Sequence, residues 1–184
     1  MLIVFIVLII VAIPFVVALF VKKTYSVERE IMISKPKQVV FDYLKFLKNQ
    51  DKFSKWATMD PNMKKEYRGI DASVGFVSAW ESQNKNVGKG EQEIRKITDG
   101  KRIDFELRFI KPFVGVANAY MTTDSMSRNE TIVNWGFDSK MNYPMNLMLL
   151  FNMEKTIGND LSTGLANLKK QLENKESLEW KYNN

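Results

Sequence analysis

The chain has 184 residues, 27 Lys and Arg against 21 Asp and Glu, a net charge of +6, and neither Cys nor His. That length suits one domain. The missing residues exclude disulfides, thiolate nucleophiles, Cys- or His-ligated metals, Ser-His-Asp triads and imidazole acid–base catalysis. Any proton transfer falls to Asp, Glu, Tyr or Lys. The absence of Cys fits any redox compartment.

Met1 to Val21 contain no polar side chain, and Lys22 and Lys23 follow at once. As a helix this stretch spans about 31 Å, against a hydrocarbon core of about 30 Å. Pro14 is tolerable in a lipid-embedded helix. A cleaved signal peptide would show a basic residue before a shorter apolar run and a small-residue cleavage site. Nothing basic precedes this run, and Val17-Ala18-Leu19-Phe20 is a poor cleavage site, so residues 1–21 are read as a single-pass anchor. Lys22, Lys23, Arg29, Lys35 and Lys37 follow it closely, which places the remainder in the cytoplasm by the positive-inside bias. The charge of +6 lies wholly outside the anchor and favours anionic head groups, or serves solubility alone. The Lys and Arg residues are scattered and carry no nucleic-acid motif, so no nucleic acid is expected.

Tyr25, Val27, Ile31 and Ile33 alternate over a strand from Tyr25 to Ile33. Ser34-Lys35-Pro36 starts a helix carrying Val39, Val40, Tyr43, Leu44 and Leu47. A second short helix is expected through Phe53 to Trp56. Strands follow at Lys65 to Gly69, Gly75 to Glu81, Gly90 to Ile97, Ile103 to Phe109, Val116 to Thr123 and Thr131 to Phe137, with a turn at Ser127-Arg128-Asn129. A long helix is predicted after Pro144, its Ile157, Leu161, Leu165, Leu168 and Leu172 forming one apolar stripe. Gly158 and Gly164 interrupt it, each costing about 1 kcal/mol relative to Ala, which calls for close approach to the sheet or a kink. Six strands joined by turns make an antiparallel sheet, and the long helix is the element large enough to cover it. The expectation is an α+β fold.

Three boundaries follow: an anchor over residues 1–23, a domain over 24–175 and a polar tail over 176–184, where Trp180 and Tyr182 have the means to dock. The inward positions are rich in Trp56, Met59, Met63, Tyr67, Phe76, Trp80, Phe105, Phe109, Tyr120, Trp135, Phe137, Met148 and Phe151. All but Phe105 form the candidate ligand-binding set; filling the core is the competing role for each. Catalysis has few candidates: Asp60, Glu106, Arg108 and Tyr120 could polarise a carbonyl or move a proton if buried. Asp104, Glu106 and Arg108 share the polar face of one strand and read as solvated charges. Asp60 before Pro61 suits a turn. Asp160 is expected on the outer helix face or capping a kink at Gly158. Gly88-Lys89-Gly90 lacks the ending of a phosphate loop, and no carboxylates have metal-site spacing. No catalytic residue, metal or cofactor is assigned, and the oligomeric state is left open.

The order of elements resembles the helix-grip fold of the START and Bet v 1 superfamily, and the residues resemble the bacterial polyketide cyclase/dehydrase and lipid-transport group called SRPBCC proteins. The resemblance rests on Tyr25-x-Val27-x-Arg29-x-Ile31-x-Ile33 followed by Pro36-x-x-Val39. It continues through Trp56-x-x-x-Asp60-Pro61-x-Met63, Tyr67-x-Gly69, Val74-Gly75-x-x-x-x-Trp80 and Gly88-x-Gly90. Thr131-x-Val133-x-Trp135 and Ile157-Gly158-x-Asp160-Leu161-x-x-Gly164-Leu165-x-x-Leu168-Lys169 close the series, which covers about residues 24 to 175. Met59 stands where many relatives carry a second Trp. The resemblance implies a curved sheet wrapped around the last helix and a cavity between them that holds an apolar small molecule or lipid. It does not imply catalysis. The leading expectation is a membrane-anchored, non-catalytic binding module; the alternatives are a cyclase or dehydratase acting on an aromatic or polyketide-like substrate, and a tethered scaffold with a closed core.

Overall fold

The computed structural model describes residues 2–174, apart from the side chains of residues 2 and 7–9. The polar tail, with Trp180 and Tyr182, lies outside the described residues. Helix α1 (Leu2–Phe20) leads directly into strand β1 (Thr24–Ile33). Phe5, Ile10, Phe15 and Leu19 stand exposed along α1, and the stretch Ile3–Phe20 is long and apolar enough to cross a membrane.

Helix α2 (Lys37–Leu44) follows Pro36, whose fixed φ suits a helix start. The expected short helix at Phe53 to Trp56 is instead a 3₁₀ turn (Leu47–Asn49) and two single-turn helices, α3 (Gln50–Phe53) and α4 (Lys55–Thr58). Ser54 is extended between α3 and α4 and divides them. The strands are β2 (Lys64–Arg68), β3 (Val77–Glu81), β4 (Lys89–Thr98), β5 (Arg102–Lys111), β6 (Gly115–Ser127) and β7 (Glu130–Lys140). They pair antiparallel in the order β1-β7-β6-β5-β4-β3-β2, so chain neighbours are sheet neighbours until β7 closes onto β1. Only that closure is long-range in sequence. β3 begins two residues later than expected, because Gly75 sits at φ 88° in the preceding turn.

The long helix after Pro144 is a correction. Residues Met145–Phe151 form a 3₁₀ segment, Asn152 turns left-handed at φ 55°, and α5 (Met153–Glu173) starts only there. A left-handed residue cannot continue a right-handed helix, so the chain changes direction. From Leu161 onward the predicted stripe holds: Leu161, Leu165, Leu168 and Leu172 are buried, and Ile157 packs against the core.

The core lies between the inner sheet face and the helices α2 and α5. Val27, Ile33, Ile94, Ile103, Phe105, Met121, Val133 and Trp135 point in from the sheet, meeting Val40, Phe41 and Leu44 of α2 and the α5 leucines. The two α5 glycines sit where the sheet approaches. A Cβ on Gly164 would meet the Trp135 ring at 2.6 Å, and one on Gly158 the Arg29 guanidinium at 2.1 Å. Asp160 also departs from expectation. It is buried and ion-paired with Lys55 of α4, so it faces the helical cover rather than solvent.

Candidate functional site

Alternation places Phe105, Leu107 and Phe109 of β5 on the concave face, with Ala117 and Ala119 of β6 beside them. Ala119 lies in register between Phe105 and Phe137. A methyl group between two large rings leaves space that neighbouring side chains do not fill. There the chain encloses a cavity of about 860 Å³, roofed by Met153, Ile157 and Leu161 of α5. That volume lies within the range of small-molecule sites.

Trp56, Met63, Trp80, Phe109, Trp135 and Phe137 of the candidate set line it. Trp135 holds its place by edge contacts with Phe53 and Trp56, at centroid distances of 5.7 and 6.3 Å. Trp80 meets Phe109 at 6.2 Å and donates its indole N–H to the Val87 carbonyl. The other six candidates lie elsewhere. Phe76 is buried core, and Tyr67 stacks on it at the cavity's flank. Tyr120 points to the opposite sheet face from Ala119, over Gly136, and donates its hydroxyl proton to Glu28. That bond, with burial, pushes the Tyr120 hydroxyl up to about 12. Met59 ends α4, half-buried. Met148 and Phe151 fall in the 3₁₀ segment, and Phe151 is exposed, because the chain turns at Asn152 before the helix begins.

Polar groups also reach the cavity. Lys65 and Asp51 line it and pair at 2.7 Å, and Asp51 accepts the Tyr67 hydroxyl as well. Burial, then the Asp51 bond, pushes the Tyr67 hydroxyl far above its ordinary value. Ser54, Ser78 and Gln92 are buried in the wall, and sequence reasoning missed all three. A signal existed: Gln92 shares its parity with the core residue Ile94. By contrast, the outer face carries solvated charge, as its pattern suggested. Arg108 reaches Glu91 at 2.7 Å, Glu93 at 2.8 Å and Glu106 at 2.5 Å. Asp60 serves its turn, accepting from Ser82 at 2.5 Å and from the Asn62 amide at 3.0 Å. No group of three or more metal-binding side chains forms among the described residues.

The mouth lies where β5 ends, β6 begins and β7 ends, bounded by Val87, Phe113, Val114, Met141, Tyr143 and Met145. β1 begins at the same edge, since Thr24 pairs with Lys140. Helix α1 therefore meets the domain beside the mouth. Asn146, fully buried in the 3₁₀ segment, donates its amide to the carbonyls of Ala18 at 2.7 Å and Val21 at 2.9 Å. These are carbonyls that a helix end leaves without intrahelical partners. Lys22 adds an ion pair with Glu154 at 2.5 Å.

No family model matches the chain, and no curated protein matches it in sequence. Solved structures do match in shape. Truncated norcoclaurine synthase from Thalictrum flavum superposes with a TM-score of 0.66 at 10% identity, over 84% of this chain and 98% of that one. That synthase is Bet v 1-like in architecture, as are two further matches, BexL and a protein from Chromobacterium violaceum. The chain has the helix-grip fold. The di-domain ARO/CYC protein BexL matches at a TM-score of 0.59 and 13% identity, over 83% of this chain and 51% of BexL, so the chain spans about half of it. A structural-genomics protein from Chromobacterium violaceum matches at 0.58 and 13% identity, over 81% and 97%. At such identities the helix-grip likeness concerns architecture, and function has to be argued from the site.

Proposed function

We propose that the chain is a membrane-tethered, non-catalytic module that binds a hydrophobic small molecule or lipid between the sheet and α5 and exchanges it with the bilayer. The observation that carries this reading is the cavity of about 860 Å³, lined by three of the chain's four tryptophans and opening beside the apolar helix α1. Retention of α1, rather than its cleavage, is supported by Asn146: removing the helix would strip a buried amide of both its acceptors. The exposed side chains Phe113, Val114, Tyr143 and Met145 make the mouth itself apolar, which suits a ligand arriving from lipid. The lysines after α1 favour a cytoplasmic domain.

A cyclase- or dehydratase-type enzyme is the second reading. The specific observation favouring it is the Lys65–Asp51 pair on the cavity wall, with the Tyr67 hydroxyl donating to Asp51 from the flank, a polar centre able to hold a carbonyl.

Native mass spectrometry of the full chain, released from lipid nanodiscs and followed by solvent extraction, tests the first reading. A reproducible apolar molecule at near-stoichiometric amount is expected. An empty spectrum together with no stabilisation by any of a panel of lipids overturns it. A chemically altered substrate, lost with Lys65→Met, moves the weight to the enzyme.

A further inference from the structure

Within the cavity one polar side-chain atom has no partner among the described residues. Gln92 is 8% exposed and lines the cavity, and its Nε2 is buried with no described group to accept its proton. On its own strand, Gly90 and Ile94 share its inward face. Across the ladder Ser78 of β3 stands directly opposite, also buried and also lining the cavity, with Leu107 of β5 on the other side. A strand position whose neighbours are Ile94, Leu107 and Trp80 would be filled most cheaply by Leu or Val. A buried amide donor left without an acceptor is expensive. Satisfied polar groups in an otherwise apolar cavity fix a ligand's orientation and identity.

Resting on the binding-module reading above, we infer that Gln92 and Ser78 form the head-group subsite of the cavity and select a ligand with a neutral carbonyl or hydroxyl oxygen on an apolar body. Charge decides against a carboxylate or phosphate there. The cationic side chain on the nearby wall, Lys65, already carries Asp51 as its counter-ion, and Lys111 and Lys140 lie at the mouth. An anion beside Gln92 would therefore shed its water without gaining a free cation. A plain hydrocarbon would leave the amide unpaired. A neutral oxygen accepts the Nε2 proton and leaves the Ser78 hydroxyl free to donate or accept.

The test uses the full chain in phosphatidylcholine nanodiscs and four probes of equal length: dodecan-2-one, 1-dodecanol, dodecane and dodecanoate. Affinity is read from tryptophan emission, and each probe is compared between wild type and Gln92→Leu so that partitioning into lipid cancels. Gln92→Leu is expected to weaken the ketone and the alcohol about 10-fold and to leave dodecane unchanged or tighter. Ser78→Ala weakens the alcohol in the same direction, and Gln92→Leu leaves the affinity for dodecanoate at pH 7 unchanged. Gln92→Met, which keeps the side-chain length, reads the same way if the Leu variant folds poorly. Equal effects of Gln92→Leu on ketone and dodecane, or a loss of dodecanoate affinity as large as that of the ketone, overturn the subsite while leaving the binding module standing. Failure of every probe, dodecane included, to change the emission overturns both.

Discussion

At Gly164 a missing methyl group decides how closely α5 lies on the sheet. Gly in a helix costs about 1 kcal/mol against Ala, so Ala would stabilise the helix in isolation. Here the added carbon would lie 2.6 Å from the Trp135 ring, which Phe53 and Trp56 already hold by their edges. Moving the ring aside, toward the cavity it borders, would break both edge contacts, so the overpacking term of about 1–3 kcal/mol wins. Gly164→Ala is expected to lower Tm, read by circular dichroism; a rise would show that Trp135 yields. The Lys55–Asp160 pair behaves differently, because removing one partner strands a buried carboxylate. Lys55→Met is expected to destabilise more than the double variant Lys55→Met/Asp160→Leu, a sign that a double-mutant cycle in urea reads directly. Neither feature is visible as a pair in the sequence. Gly164 was legible as a close approach, since a glycine beside an apolar stripe needs a reason. Asp160 was misread, because helical periodicity does not show that α4 would bring a lysine to it.

Between elements, two arrangements carry testable consequences. The 3₁₀ segment caps α1 through Asn146, so Asn146→Ala should uncouple them. Hydrogen–deuterium exchange is expected to speed at least about 10-fold over residues 18–24 and 141–151, with β4 to β7 unchanged. Uniform exchange across the chain would show instead that Asn146 supports the whole fold. On the outer sheet face, Arg108 holds the Glu91 carboxyl below its ordinary value of 4.5. Arg95, and then Arg108, lowers Glu93 in the same way. A lowered folded-state pKa gives stability that is complete above the unfolded value and is lost as pH falls through the folded one. The Tm advantage of wild type over Arg108→Met should therefore be constant above about pH 5 and shrink toward pH 3. An advantage that grows on acidification would refute the assignment. The charges themselves were legible as a polar strand face. Their convergence on one guanidinium depends on the register of β4 against β5.

For the molecule as a whole, the cavity exists because β6 puts Ala119 between Phe105 and Phe137 beneath α5, whose glycines already lie in close approach to Arg29 and Trp135. Ala119→Phe is expected to fill that space, leaving Tm equal or higher while removing the stabilisation given by any bound apolar molecule. That stabilisation is about 2.7 kcal/mol at a ligand concentration of 100 Kd, so thermal melts with and without ligand separate the two effects. Undiminished ligand stabilisation in Ala119→Phe would place the ligand elsewhere. By itself the sequence determined the seven strands, the apolar first helix, the α5 stripe and hence the helix-grip architecture, because period-two and 3.6-residue patterns are local and repeat many times. What only the tertiary structure decided was which inward side chains border space and which fill it. Trp80 and Phe76 share a parity four residues apart, yet one lines the cavity and the other is core. It also decided where α5 begins, through the left-handed Asn152, and brought the mouth of the cavity to the end of α1. Those outcomes depend on long-range closure of β7 onto β1 and on the fit of side chains from distant segments, which no local periodicity records.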